Sequence, residues 1–354
     1  MNALTPTIPS PGSPAAPSLG RSVRSGVAVV IPAFRVTRHI LPLLERFGPE
    51  VAAIYVVDDA CPDGSGDLVA ASCADPRVHV LRNARNRGVG GAVMHGLRAA
   101  HAAGYHVAVK IDGDGQMDPA LVPRFVAPIL DGRADYTKGN RFYDPRSLRQ
   151  MPRGRRLGNA LLSFTAKFST GYWDIFDPTN GLIALDLRLL PFLTTDKVAE
   201  RYFFESDLLF RAGLVKARVI DIPMAALYAD ETSHLSAARE GPRFIAGHCR
   251  NFAKRIGYTY FLRDFGIASV ELVVGLALLL FSVVVGVPAL VTAEADSAGR
   301  VMLAALPLLV GVQFLLSALN YDVRNTPTTP VSDLLPEMPL AGGKPGDPDE
   351  DSET

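Results

Sequence analysis

Near its carboxyl end the chain carries two long stretches with no charged residue, 272–291 and 301–319. No other feature restricts the available folds as strongly. A helix needs about 20 apolar residues to cross a ~30 Å hydrocarbon core, and soluble helices of that length are rarely apolar all round. The pair is therefore expected to form a transmembrane hairpin over 266–321. Pro288 and Pro307 do not oppose this, because proline is tolerated in membrane helices. The connection, 292–300, is short and carries Glu294, Asp296 and Arg300. The flank before the first stretch carries Arg243, Arg250, Lys254, Arg255 and Arg263. Basic residues favour the cytoplasmic side, so the soluble part and both termini are expected in the cytoplasm, at the inner or plasma membrane if the source is bacterial. Segment 241–265 reads as a basic, amphipathic juxtamembrane stretch, with Tyr258, Tyr260 and Phe261 at headgroup level and Glu271 at the edge of the first span.

The 354 residues have a formal net charge of zero, so no global field points to nucleic acid. Cys61, Cys73 and Cys249 form no metal or disulfide pattern, and Cys61 reads as a small tolerated loop residue. Segment 1–26 has five prolines by Pro17 and no apolar core, so it reads as a disordered tail rather than a signal peptide. Segment 322–354, proline-rich and ending acidic, is expected to be disordered as well.

The middle of the chain alternates. Strand-length apolar runs lie at 27–31, 54–57, 78–81, 106–111, 181–185 and 217–222, with helical stretches at 38–47, 67–72, 89–103 and 119–130. This pattern predicts an α/β domain over 27–240 with a mostly parallel, Rossmann-like sheet. Ligands of such sheets sit beyond the carboxyl ends of the strands, and three strand ends carry candidate chemistry. After the first come Pro32, Ala33 and Phe34; the proline fixes the exit and Phe34 offers a ring face to a base. After the second comes Asp58, able to accept hydrogen bonds from a base or ribose, while Asp59 and Asp63 can cap the next helix. After the fourth comes Lys110-Ile111-Asp112-Gly113-Asp114-Gly115-Gln116. Hard divalent cations take one or two carboxylates plus substrate phosphates. Asp112 and Asp114 could share Mg²⁺ or Mn²⁺, with the Gln116 amide as a third ligand.

These strand ends, in this order, resemble the family 2 glycosyltransferases of GT-A fold, and most of all their polyprenyl-phosphate branch. The resemblance covers 27–230. It implies that Pro32, Ala33, Phe34, Asp58, Lys110 and Asp112 bind the nucleotide, and that Asp112, Asp114 and Gln116 hold the metal. Asn86-Arg87-Gly88-Val89-Gly90-Gly91-Ala92 also matches. In Lys138-Gly139-Asn140-Arg141 the arginine is implied to reach the donor phosphates. Asp177-Pro178-Thr179-Asn180-Gly181 resembles the acceptor-side turn, with Asn180 where the family has serine. Tyr202 to Asp207 matches an aromatic and acidic helix behind the site, and 228–235 a loop closing over the donor, with fewer basic residues than usual. The Gln-x-x-Arg-Trp motif of chain-extending synthases is missing, which favours transfer of a single sugar.

The implied reaction moves one sugar from a nucleotide sugar to a polyprenyl phosphate at the membrane. If the acceptor needs a general base, Asp177, Glu205 and Asp207 are the candidates. Arg141, Arg146, Arg149, Arg153, Arg155 and Arg156 precede an amphipathic stretch at 157–172; Arg155 and Arg156 suit the acceptor phosphate and an anionic membrane surface. A solvated basic face is the equal alternative. Transfer to a glycolipid or protein hydroxyl, or a non-catalytic nucleotide-sugar-binding scaffold, also fits the sequence. Hairpin anchors can form homo-oligomers, and nothing in the sequence fixes this.

Overall fold

The computed structural model describes residues 24–143, 153–224, 237–291 and 298–336. Its centre is a seven-stranded sheet in the order β3-β2-β1-β4-β6-β5-β7. The strands are β1 (Arg24–Ala33), β2 (Val51–Asp58), β3 (Val78–Arg82), β4 (Tyr105–Lys110), β5 (Tyr136–Asn140), β6 (Ile183–Asp186) and β7 (Val219–Pro223). All pairings are parallel except those of β6, which runs against both β4 and β5. Val27 to Ile31 are buried on both faces, as expected of a central parallel strand covered by helices on both sides. Since β1 begins at Arg24, the end of the segment expected to be a disordered tail is instead ordered strand.

One face of the sheet packs against α3 (Gly88–Ala102) and α6 (Phe204–Leu214), the other against α1 (Ile40–Leu44) and α4 (Val122–Leu130). A short α2 (Ser65–Ser72) follows β2. The helix expected at 38–47 contracts to five residues. Strand β5 has no apolar run to announce it, because Thr137 and Lys138 are buried and satisfied internally. Thr137 Oγ1 donates to the Phe125 carbonyl at 2.7 Å, and Lys138 Nζ to the Asn180 carbonyl at 2.7 Å.

Between β5 and β6 lies α5 (Arg153–Thr170), which packs on α6 and on α7 (Ala237–Ile256). The expected boundary at 240 thus falls inside one continuous helix. A π-helical turn, Gly257–Arg263, leads into α8 (Ile267–Val291), which pairs with α9 (Ala298–Arg324). Both are long and apolar enough to cross a membrane, and little of either is buried. They meet backbone to backbone: a Cβ on Gly275 would lie 3.1 Å from the Gly311 carbonyl oxygen, and one on Gly311 3.0 Å from that of Gly275. Small residues permit this approach where no hydrophobic effect drives helices together. Glu271 faces the partner helix, accepting from Ser317 Oγ at 2.9 Å.

The segment expected to be disordered from 322 onward is ordered through 336. Residues 322–324 finish α9, and the chain then returns to the sheet. The Arg218 guanidinium donates to the Thr328 carbonyl. Asp135 accepts from the Val331 and Ser332 amides at 2.9 and 2.8 Å, and Arg188 pairs with Asp333 at 2.7 Å. Two residues expected at the membrane surface are instead interior: Arg255 and Tyr260 are each 5% exposed. Tyr258 and Phe261 remain exposed.

Candidate active site

The carboxyl ends of β1, β2, β4 and β5 and the amino end of β6 share one rim. At the end of β1, Phe34 is exposed, while the Ala33 side chain is fully buried, so that only its backbone reaches the rim. The Ala33 carbonyl accepts from the Asp59 amide at 3.1 Å. Arg35, in the left-handed region at φ 59°, sets its guanidinium 5.4 Å from the centre of the Phe34 ring.

Asp58 holds its own loop. Its two oxygens accept from the Cys61 and Gly66 amides, both at 2.7 Å, fastening β2 to the start of α2. The amide at the start of α2 that Asp59 or Asp63 could have capped is thus taken by Asp58. Asp59 instead clasps the glycine-rich turn before α3, accepting from Asn83 Nδ2 at 2.7 Å, the Arg87 amide at 2.9 Å and the Gly88 amide at 2.7 Å. That turn packs on the segment leading to α6. A Cβ on Gly90 would lie 2.2 Å from the Ala199 carbonyl oxygen, and the Gly91 amide donates to the Glu200 carbonyl at 3.0 Å. Arg87 pairs with Glu200 at 2.6 Å. The glycines thus seat the start of α6, which carries Glu205.

Beyond β4, Lys110 Nζ lies 2.6 Å from Asp112 Oδ1 and 3.4 Å from Glu205 Oε1, with the lysine 1% exposed. Burial alone would lower its pKa, but the two carboxylates outweigh burial and raise it, so Lys110 is a fixed ammonium. Asp112 is partly open at the rim, and its Oδ2 faces Gly181, where a Cβ would come within 2.2 Å. Asp114 Oδ1 accepts from the Gln116 amide at 3.0 Å, so Gln116 supports Asp114 through its backbone.

On the β5 and β6 side, Arg141 is committed to Asp177. Its Nε lies 2.7 Å from Oδ2 and its Nη2 2.9 Å from Oδ1. Asp177 is fully buried. Asp177, expected as an acceptor-side contact or base, thus stands as the internal counterion of Arg141, which keeps partial exposure at the rim. Asn180, 1% exposed, is likewise internal. Its Nδ2 donates to Asp177 at 3.2 Å and its Oδ1 accepts from the Leu182 amide at 2.9 Å. Asp207, expected as a catalytic residue, is also internal. It is fully buried and accepts from Asn251 Nδ2, the Ala199 amide and the Arg211 guanidinium at 2.8 to 3.1 Å, so neither oxygen faces the rim. Glu205 is the remaining carboxylate near Asp112, already beside Lys110.

Sequence reasoning named Lys110 but missed the row behind this rim to which it belongs. Lys110, Ile183, Lys138 and Asp221 are successive register partners across β4, β6, β5 and β7, so their side chains share one face. Burial lowers the pKa of Lys138 to about 8 and raises that of Asp221 to about 6. Asp221 Oδ2 accepts from Asn140 Nδ2 and the Phe176 amide at 2.9 and 3.0 Å, while its buried Oδ1 has no partner. Two charged residues inside runs that read as strands were the available signal. Arg156 is exposed on α5; the side chain of Arg155, the residues 144–152 with Arg146 and Arg149, and the loop 228–235 lie outside the described residues.

Among the described residues no three His, Cys, Asp or Glu groups converge as a ready-made metal cage. The donor set still fits a hard cation, since Mg²⁺ is commonly held by one or two carboxylates and completed by substrate phosphates. Asp112 and Asp114 would supply those carboxylates.

The sequence profile of the family described as Glycosyl transferase family 2 matches residues 28–190. An undecaprenyl-phosphate mannosyltransferase of Micrococcus luteus is 30% identical over 56% of this chain and 82% of its own length. A polyprenol monophosphomannose synthase of Mycolicibacterium smegmatis is 32% identical over 55% and 75%. A UDP-N-acetylglucosamine–dolichyl-phosphate N-acetylglucosaminyltransferase of Methanococcus voltae is 31% identical; the match spans 44% of this chain and 61% of the relative's length. Among solved structures, a glucosyl-3-phosphoglycerate synthase of Mycobacterium tuberculosis with Mn²⁺ and UDP aligns at 20% identity and a TM-score of 0.48, covering 66% of this chain and 80% of that one. The sheet and its rim form a mostly parallel α/β domain, and the family profile matches within it. The chain belongs to glycosyl transferase family 2 and is a glycosyltransferase.

Proposed function

We propose that the protein is a membrane-anchored, inverting glycosyltransferase that moves one sugar from a nucleotide sugar to a polyprenyl phosphate. The observation that carries this reading is the partly open Asp112 carboxylate at the end of β4, backed by buried Lys110 and beside Asp114, in a chain with two membrane-length helices. Asp112 and Asp114 would hold Mg²⁺ or Mn²⁺, a Lewis acid that stabilises the departing nucleoside diphosphate. Lys110 holds Asp112 in place and adds fixed positive charge behind the site. Phe34 offers a stacking face to the base. Asp58 keeps the base-side loop in shape, leaving the remaining lone pairs of its oxygens for the nucleotide. Arg141, oriented by Asp177, presents its exposed edge to phosphate oxygens.

A phosphate monoester has its second pKa near ~6 and is largely dianionic at neutral pH. It attacks without first losing a proton, so no general base is required. That agrees with a rim where Asp177 and Asp207 are consumed internally and Glu205 is paired with Lys110. The names of three relatives, each pairing a sugar with a polyprenyl or dolichyl phosphate, support this acceptor class. Exposed Arg243, Arg250 and Lys254 on α7 support a cytoplasmic catalytic domain.

The test is purified protein in liposomes carrying undecaprenyl phosphate, with Mn²⁺ or Mg²⁺ and a panel of UDP- and GDP-sugars, read by product mass. A glycosyl-phosphoryl lipid should form, and Asp112→Asn and Asp114→Asn should abolish it while the protein still folds and inserts, with a lower melting temperature for Asp112→Asn because buried Lys110 loses its nearest counterion. Normal turnover by both variants would refute the metal assignment; no lipid product from any donor would refute the acceptor.

A further inference from the structure

The last turn of α9 is tied to the catalytic domain through one carboxylate. Asp322 is 9% exposed and accepts four hydrogen bonds. Arg255 Nη1 and Nη2, from α7, reach its two oxygens at 2.7 and 3.0 Å. The Tyr260 hydroxyl, from the π-helical turn, reaches Oδ1 at 2.7 Å, and Trp173 Nε1 reaches Oδ2 at 2.8 Å. An ionised carboxylate has about four lone-pair sites, so Asp322 is saturated by three different elements. Arg255 in turn donates through Nε to the Phe168 carbonyl of α5 at 2.9 Å.

Trp173 opens the loop that runs from α5 into β6. Phe176 of this loop donates its amide to Asp221, and Asp177 orients Arg141. Trp173 and Asp177 are four residues apart, at most ~14 Å of chain. One end of the loop is thus fixed to the hairpin and the other to the rim. A charge of this kind at the end of an apolar helix is costly to bury unless fully paired. Packing alone would be served as well by an apolar residue.

We propose that Asp322 is a positioning residue for the transfer reaction. By holding Trp173 it fixes the height of the 171–181 loop, and with it Arg141, relative to the membrane-facing hairpin, so that an acceptor phosphate anchored in the bilayer meets the rim. This rests on the polyprenyl-phosphate reading above. It predicts an effect confined to membrane-embedded acceptor, because a freely diffusing acceptor does not need a fixed height.

The experiment compares wild type, Asp322→Asn and Trp173→Phe with two acceptors: undecaprenyl phosphate in liposomes and a short-chain, water-soluble polyprenyl phosphate in detergent. Trp173→Phe removes one donor without stranding a charge, and it carries the test if Asp322→Asn fails to fold. In liposomes the variants should lose at least about tenfold in transfer, with donor KM unchanged; with the soluble acceptor they should stay within about twofold of wild type. Equal losses with both acceptors, or none with either, overturn the proposal. Wild type inactive with both acceptors overturns the polyprenyl-phosphate reading and this inference with it, whereas an active wild type beside unaffected variants overturns only the inference.

Discussion

Gly181 gives the sharpest handle on the proposed metal site. It lies just before β6, and its φ is outside the left-handed region, so an added methyl group meets a steric obstacle and no backbone penalty. That methyl would sit 2.2 Å from Asp112 Oδ2, against the 3.4 Å at which ordinary contact begins, a deficit of about 1.2 Å. It would also lie 2.7 Å from Lys110 Nζ and 2.9 Å from Met117 Cε. Asp112 cannot simply rotate away, because Lys110 holds its other oxygen at 2.6 Å. Nor can the backbone readily retreat, since the Leu182 carbonyl is fixed by the Gly139 amide at 2.9 Å. Overpacking of this kind costs about 1–3 kcal/mol, which leaves the fold intact, whereas a displacement of about 1 Å at a reacting centre can cost ~10²-fold in rate. Gly181→Ala is therefore expected to lower kcat/KM about 100-fold and to weaken Mn²⁺-dependent binding of the nucleoside diphosphate in calorimetry, with a modest fall in melting temperature. Turnover and metal-dependent binding both within threefold of wild type would show that Asp112 does not hold the cation.

Asp221, raised to about 6 by burial, binds its proton more tightly folded than unfolded. Its contribution therefore becomes unfavourable as pH rises from about 4 to about 6, reaching about 3 kcal/mol. The stability of Asp221→Asn relative to wild type should grow across that window and then level off; a difference independent of pH between 3.5 and 7 would contradict the assignment. Asp135, fully buried, accepts the Arg218, Val331 and Ser332 amides. Asp135→Ala leaves those donors unpaired at about 1–3 kcal/mol each, so limited proteolysis should cut 326–336 faster while the hairpin stays intact; an unchanged cleavage pattern would show that the returning segment is held otherwise.

The parts of the fold that were legible in the sequence are those with local signals. The apolar runs ending in Pro32, Asp58 and Asp112 placed three strands and the rim. The charge-free stretches placed α8 and α9. What escaped depends on partners far along the chain. Asp177 and Arg141 meet across 36 residues, and Trp173 and Asp322 across 149. No spacing rule announces either pair, so Asp177 read as available and 322 onward as tail. Strand β5 escaped because its polar residues are satisfied only by distant partners, Thr137 by α4, Lys138 by the turn before β6 and Asn140 by β7. Asp207 is different: its partner Arg211 lies four residues on in the same helix, a pairing the sequence does display.

The reversed strand has a consequence for how such proteins diversify. Because β6 runs antiparallel beside β5, the chain leaves the sheet at Asn140 and rejoins it at Ile183 on adjacent strands of the same rim. The described residues between, α5 and the Trp173 to Gly181 loop, therefore form an excursion whose two ends sit side by side on the sheet. On the proposed function, a change of acceptor preference would fall on this excursion and leave the rim of β1, β2 and β4 in place.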